Sequence, residues 1–175
     1  MIAGNHIIYI IGFMGSGKST AGRKLASLLG WSFIDLDKRI EEHTSKTIPE
    51  IFSQKGEDYF RSIEAQLLRD LMSGTNTVIS TGGGTPCHGD NMDFMNEHGL
   101  TVYLKLTPAE LNSRLSQSNG ERPLIKDLEK GNLLSFIEEK LSIREKWYKR
   151  ADITLGGIDL DIKMLLSLVK SRLNI

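Results

Sequence analysis

Residues 7–20 read Ile7-Ile8-Tyr9-Ile10-Ile11-Gly12-Phe13-Met14-Gly15-Ser16-Gly17-Lys18-Ser19-Thr20. An apolar run passes straight into G-x-x-x-x-G-K-S. Gly12, Gly15 and Gly17 carry no Cβ, so the backbone can turn tightly and aim N–H groups at anionic oxygens. A helix is expected from Ala21 to Leu29, stopped by Gly30, and the positive end of its dipole falls at the same place. In this pattern Lys18 reaches the β- and γ-phosphates and the Ser19 hydroxyl ligates Mg²⁺. The stretch therefore predicts a nucleoside triphosphate site, with Gly15, Ser16, Gly17, Lys18, Ser19 and Thr20 as its phosphate-binding residues.

The totals bound what surrounds this loop. A chain of 175 residues predicts one domain, 1–175, with a sizeable core. Its 22 Lys and Arg balance its 22 Asp and Glu, so no charge surplus points to nucleic acid or a membrane surface, and any anion site must be local. Cys87 is the only cysteine; an intrachain disulfide is impossible, which suits a reducing compartment. With only His88 beside it on a loop, Cys87 reads as a small loop residue rather than a nucleophile. No apolar run approaches the length of a membrane-spanning helix. Met1 to Ile11 lacks a basic start and a small-residue cleavage site, so it reads as the first strand and not as a signal peptide. A cytoplasmic monomer is the expectation.

Outward from the loop, strands alternate with helices. Trp31 to Ile34 predicts a second strand running into Asp35-Leu36-Asp37, where residues two apart on extended backbone should share a side. A helix is expected from Asp37 to about His43. Thr47-Ile48-Pro49-Glu50 carries a capping box with Pro in the first turn, and opens a short helix; a longer one follows Gly56, roughly Glu57 to Met72. Thr77 to Ser80 predicts the third strand, ending in Gly82-Gly83-Gly84. A helix from Asn91 to Glu97, a strand from Leu100 to Leu106, and a helix capped by Thr107 and Glu110 come next. Ser116 to Leu124 is polar and glycine-punctuated, a mobile surface segment carrying Arg122. Asn132 to about Lys149 predicts a charged helix with Arg144, Asp152 to Leu155 a fifth strand, and Ile158 to Leu173 a closing amphipathic helix. Strands that read as apolar runs imply a parallel sheet covered on both faces. The fold class is thus a three-layer α/β domain with five parallel strands. Ligands bind outside the carboxyl ends of such strands, so the phosphate loop, the Asp pair and the glycine triplet should gather on one edge.

A phosphate loop specifies a nucleotide, not a reaction. The GTPase strings N-K-x-D and D-x-x-G are absent. A transport ATPase would be longer. A small-molecule kinase needs an acceptor site beside the γ-phosphate and a cover against water, a part the polar segment can play. Asp35 and Asp37 offer one carboxylate for a hydrated Mg²⁺ and one for an acceptor hydroxyl, or else two helix caps. Gly82 to Gly84 can bring backbone N–H groups against a ligand, or form a plain tight loop. Arg61, with Glu57 at i−4 and Glu64 at i+3, reads equally as a surface ion pair worth under ~1 kcal/mol. Arg144 sits among charged neighbours where a solvated face is the default, and Arg122 either closes onto ATP phosphates or stays on the surface.

Taken together, Gly12 to Arg23, Asp35-Leu36-Asp37, Ile48 to Phe52, Gly56-Glu57-x-x-Phe60-Arg61-x-x-Glu64, Gly82 to Gly84, Arg122-Pro123-Leu124 and Arg144 resemble shikimate kinase, in order over nearly the whole chain. The resemblance implies the P-loop kinase fold of the nucleoside-monophosphate-kinase type, with sheet order 2-3-1-4-5. It implies substrate-binding helices over about 37–72 and a mobile lid over about 114–125. It implies ATP-dependent phosphorylation of the shikimate 3-hydroxyl on the way to chorismate and aromatic amino acids. Asp37 then matches the residue that holds the acceptor hydroxyls, and Arg61 and Arg144 the arginines on the substrate carboxylate. Gly82, Gly83 and Gly84 match the substrate loop, Phe52 and Phe60 the pocket walls, and Glu64 the carboxylate that orients Arg61. Ser19, with Asp35 through water, matches the magnesium site. Lys18, Asp37 and Arg122 carry catalysis, Arg122 also as the lid arginine on ATP. Arg114 is placed near adenine, and Gly156-Gly157-Ile158 departs from the expected adenine loop. The physics agrees: arginine forks suit a carboxylate and an aspartate suits a pair of hydroxyls. A gluconate kinase on the same fold and a nucleotide-binding module without turnover are the rivals.

Overall fold

The computed structural model describes residues 6–73, 76–117 and 132–175. Strand β1 (Ile7–Ile11) is buried along its whole length, and its alternation is internal: Ile7, Tyr9 and Ile11 face one core, Ile8 and Ile10 the other. Only a sheet covered on both sides lets all five residues escape water. β2 (Ser32–Asp35), β3 (Thr77–Ser80), β4 (Leu100–Lys105) and β5 (Ile153–Gly156) complete a five-stranded sheet in the order β2-β3-β1-β4-β5, with every pairing parallel. The order and the three-layer α/β class agree with expectation.

One core lies between the sheet and helices α1 (Lys18–Leu29) and α8 (Ile162–Leu173), through Leu25, Val102, Leu165 and Val169. The larger core lies on the opposite face, under α2 (Leu36–Thr44), α3 (Ile48–Lys55), α4 (Glu57–Asp70), α5 (Asn91–His98), α6 (Pro108–Gln117) and α7 (Leu133–Tyr148). Among the described residues, no helix is long and apolar enough to cross a membrane.

Capping chemistry sets the helix ends. Gly30 closes α1 in the left-handed region, φ 69°. Thr47 and Glu50 form a reciprocal capping box on α3, and Thr107 and Glu110 exchange the same bonds at the start of α6. Several boundaries differ from the sequence reading by a few residues, α1 for instance starting at Lys18 and not Ala21 and α4 ending at Asp70 and not Met72, and two of the differences have a clear cause. The last helix begins at Ile162, not Ile158, because Asp161 supplies a cap to the N–H groups of Lys163 and Met164. And α2 begins at Leu36, with Asp35 as its N-cap, so Asp37 is helical and the strand-alternation argument for the Asp pair does not apply. The predicted lid lies partly outside the described residues, as do Arg122, Pro123 and Leu124.

Gly99, between α5 and β4, shows how tightly the layers close. Its φ of −172° suits any residue, but a Cβ there would stand 2.6 Å from the Ile7 carbonyl oxygen and 2.8 Å from the Tyr9 ring. Gly99→Ala is expected to destabilise the protein by ~1–3 kcal/mol through overpacking alone. A lower urea midpoint at unchanged m-value checks this.

Candidate functional site

The sheet's carboxyl edge opens into a cleft of about 1020 Å³ that runs from Gly15, Lys18 and Ser19 to Phe52, Arg61 and Arg144. At one end, the chain leaving β1 turns through Gly12, Gly15 and Gly17 at φ 145°, 83° and 89°. These positive values are what demands glycine. Crowding adds to it at Gly12, where a Cβ would lie 2.8 Å from the Leu104 carbonyl oxygen. The α1 N-terminus faces the loop with no acidic side chain in its first turn, so its dipole is unopposed. Lys18, only 9% exposed, donates from Nζ to the Phe13 carbonyl at 3.0 Å. The Ser16 hydroxyl is buried with no partner among the described residues, a polar atom that an anionic oxygen would satisfy.

Beside Lys18 the ends of three elements meet. Ser19 Oγ donates to Asp35 Oδ2 at 2.7 Å and lies 3.2 Å from Ser80 Oγ. One carboxylate and two hydroxyls are hard oxygen donors that suit a partly hydrated Mg²⁺. Among the described residues no group of three His, Cys, Asp or Glu gathers into a closed metal cage. Ser80 was not singled out from the sequence. The signal was its place as the last residue of β3, which becomes informative only once its partner in register, Asp35, is known.

Asp37, half-buried in the first turn of α2, projects into the same cleft. Its removal from water pushes its pKa up to about 6; Lys18 opposes the rise, while Asp35, Glu64 and Glu41 add to it. The glycine triplet packs against it. Unlike the phosphate loop, Gly82, Gly83 and Gly84 have no positive φ. Space is what demands glycine there. A Cβ on Gly82 would stand 2.9 Å from Asp37 Oδ1, and one on Gly84 2.7 Å from Arg61 Nη2.

Arg61 is not a surface pair. Its Nη1 donates to Glu64 Oε2 at 2.8 Å, Glu64 is fully buried, and Thr85 Oγ1 donates to Glu64 Oε1 at 2.6 Å. Glu57 accepts from Arg61 Nε and Nη2 at 3.3 Å, and the Phe60 ring lies under the guanidinium. Phe60 and Phe52 pack 4.8 Å apart as one wall of the cleft. Arg144, from α7, lies over the Phe13 ring with its head at Gly83. Thr85 and Tyr148, whose hydroxyl donates to the Gly83 carbonyl oxygen, went unread in the sequence. Arg114 donates to the carbonyl oxygens of Ser16 and Ile158, so it ties the phosphate loop to the segment after β5. Cys87 is held as a thiol, its pKa pushed up to about 11 chiefly by burial, against the pull of Arg144 and Arg61.

The model of the "Shikimate kinase" family matches residues 14–164. The shikimate kinase of Parabacteroides distasonis is 45% identical over 150 residues, 86% of this chain and 87% of that protein. A shikimate kinase crystal structure from Bacteroides thetaiotaomicron superposes with TM-score 0.90 at 37% identity, over 98% of this chain and 100% of that one. The shikimate kinase from Acinetobacter baumannii in complex with shikimate gives TM-score 0.86 at 34% identity, over 98% and 95%.

The raised pKa of Asp37 has a consequence for stability. In the unfolded chain an aspartate titrates near ~3.9. The folded state therefore holds an extra proton between that pH and about 6, so this group's contribution falls as pH rises through the window and stays low above it. Asp37→Asn is expected to be more stable than the parent above pH 6, by ~1–2 kcal/mol once solvent contact is allowed for, with the difference vanishing near pH 4. Denaturant midpoints of both proteins from pH 4 to 8 check it.

Proposed function

The chain belongs to the shikimate kinase family, and we propose that its strand-end cleft moves the γ-phosphoryl group of ATP onto the 3-hydroxyl of shikimate, giving shikimate 3-phosphate and ADP. It is a kinase acting on an alcohol group. The observation that carries the site reading is the joining, in one cleft, of a phosphate loop to a glycine loop against which Asp37, Arg144 and Arg61 all pack, at Gly82, Gly83 and Gly84.

The donor half is residues 15–20. Backbone N–H groups of Gly15, Ser16 and Gly17 and the α1 dipole hold the phosphates, and Thr20 continues their cradle. Lys18 leaves its carbonyl partner Phe13 to bridge the β- and γ-phosphates. Ser19, with Asp35 through water, would hold Mg²⁺, which would supply charge neutralisation on the transferred group. Arg122, outside the described residues, would act as the lid arginine on the phosphates, and Arg114, which donates to the Ser16 carbonyl oxygen, would lie near the adenine.

In the acceptor half, Arg61 and Arg144 fork onto the shikimate carboxylate, and Gly82, Gly83 and Gly84 contribute backbone contacts. Phe52 and Phe60 wall off the apolar face of the ring. Asp37, ionised above about pH 6, accepts hydrogen bonds from the acceptor hydroxyls and takes the proton as the new P–O bond forms. A loose transition state asks little of that base, so positioning and charge neutralisation carry most of the rate. Helices α2 to α4 form the acceptor side of a single catalytic domain, which acts as a cytoplasmic monomer.

ADP release measured with ATP and Mg²⁺ tests this reading, with shikimate, gluconate or a nucleoside monophosphate added in turn. Turnover is expected with shikimate alone; ADP release that ignores shikimate sinks the proposal. In the same assay Arg61→Lys is expected to raise the shikimate KM about tenfold with the ATP KM nearly unchanged, because an ammonium cannot fork. Asp37→Asn is expected to lower kcat at least ~100-fold.

A further inference from the structure

Tyr148 is the last residue of α7, fully buried, and packed against Tyr103 in a tilted arrangement, ring centroids 5.1 Å apart and planes at 34°. A tyrosine there needs a partner for its hydroxyl. Oη donates to the Gly83 carbonyl oxygen at 2.5 Å. The contact spans 65 residues of sequence and joins α7 to the loop after β3. Burial holds the phenol's pKa well above the usual tyrosine range, so it keeps its proton and remains a donor throughout neutral pH.

Two groups of the acceptor site are governed by this one hydroxyl. The first is the Gly83–Gly84 peptide. It is planar and trans, so fixing its carbonyl toward α7 turns the Gly84 N–H away from α7. Without a Cβ at either residue, that peptide has unusual freedom to rotate, and the hydroxyl removes it. The second is Arg144, one helical turn earlier on α7, whose guanidinium sits beside the same hydroxyl. A Cβ on Gly83 would lie 3.5 Å from Arg144 Nη1, so arginine and loop are already in contact.

The opposite side of the loop is fixed in the same manner. There Thr85 donates to Glu64, and Glu64 holds Arg61. Each arginine is thus tied to the glycine loop through one buried side chain. On the Arg61 side that side chain is an acid. On the Arg144 side no carboxylate pairs with the guanidinium among the described residues, and a neutral phenol does the holding.

We infer that Tyr148 is a positioning residue for acceptor binding: it sets the Gly83–Gly84 peptide and the Arg144 fork in one geometry toward the substrate carboxylate. This rests on the shikimate reading of the cleft. It places Tyr148 outside the chemical step and outside ATP binding.

Tyr148→Phe tests it, because the ring and its packing against Tyr103 are kept and only the hydroxyl is lost. The shikimate KM is expected to rise about three- to tenfold, the loss of one hydrogen bond, while kcat and the ATP KM stay within about twofold. Equal rises in both KM values, an unchanged shikimate KM, or a variant too unstable to assay would each return Tyr148 to a plain core residue. The parent protein, run alongside, separates the two readings. If it shows no shikimate-dependent ADP release, the site assignment fails; if it does and Tyr148→Phe behaves as the parent, this inference alone fails.

Discussion

The acceptor half of the cleft depends on one buried carboxylate. Glu64 has no contact with solvent and answers to two donors, Arg61 at 2.8 Å and Thr85 at 2.6 Å. A charge so placed survives only if it is paired and hydrogen-bonded. Both of its oxygens are used, one by Arg61 on the same helix and one by Thr85 beyond β3, and the second bond ties α4 to the loop after β3. Arg61 inherits its direction from this constraint. So does the glycine loop, which must pass between Glu64, Asp37 and Arg61 at distances that leave no room for a Cβ at Gly82 or Gly84. Breaking the pair from either side would leave an uncompensated group inside the protein, a loss much larger than that of an exposed ion pair.

The two arginines are therefore unequal. Arg61 arrives already neutralised, by Glu64 and in part by the more exposed Glu57. A substrate carboxylate docking there, as proposed, would compete with Glu57 for the Nε and Nη2 edge. Arg144 has no such competitor among the described residues and lies over the face of Phe13, a residue of the phosphate loop. On the proposed reading, the attraction for an incoming anion would come mainly from Arg144, and Arg61 would supply fit. Through Phe13 the same guanidinium also touches the donor half, where Phe13 offers its carbonyl to Lys18. Donor and acceptor halves thus share a residue.

Sequence reasoning reached most of this arrangement, and its failures have physical causes. The phosphate loop was legible because its chemistry is local: strand, glycines, lysine and helix follow one another within 14 residues. Sheet composition was legible because strands buried on both faces show as apolar runs. The order of the strands came with the resemblance, since no local pattern encodes which neighbour a parallel strand finds. Asp35 and Asp37 were correctly placed in one cleft on an argument that the structure replaces, as Asp37 belongs to a helix. Arg61 and Arg144 stayed ambiguous from their flanking residues alone, because charged neighbours in sequence look the same on a surface and beside a buried acid. Ser80, Thr85 and Tyr148 went unread for a related reason. Each is an ordinary residue whose importance lies in a contact across the fold.

Asp37 shows what the cleft gives up for its chemistry. A carboxylate among Asp35, Glu41 and Glu64, withdrawn from water, is disfavoured in its charged form, and only Lys18 pulls the other way. Above about pH 6 the protein nevertheless holds it ionised. In the proposed reaction, binding would relieve part of this, because acceptor hydroxyls that hydrogen-bond the charged form favour it. ATP has the opposite effect, since it draws Lys18 toward the phosphates and adds negative charge nearby. The two substrates of the proposed reaction therefore act on Asp37 in opposite senses: ATP raises its basicity, and the acceptor hydroxyls offset part of that rise. Only with both bound must a proton leave the acceptor hydroxyl, and there the two effects meet. An aspartate kept in water would ionise more easily and serve as a weaker base at that moment.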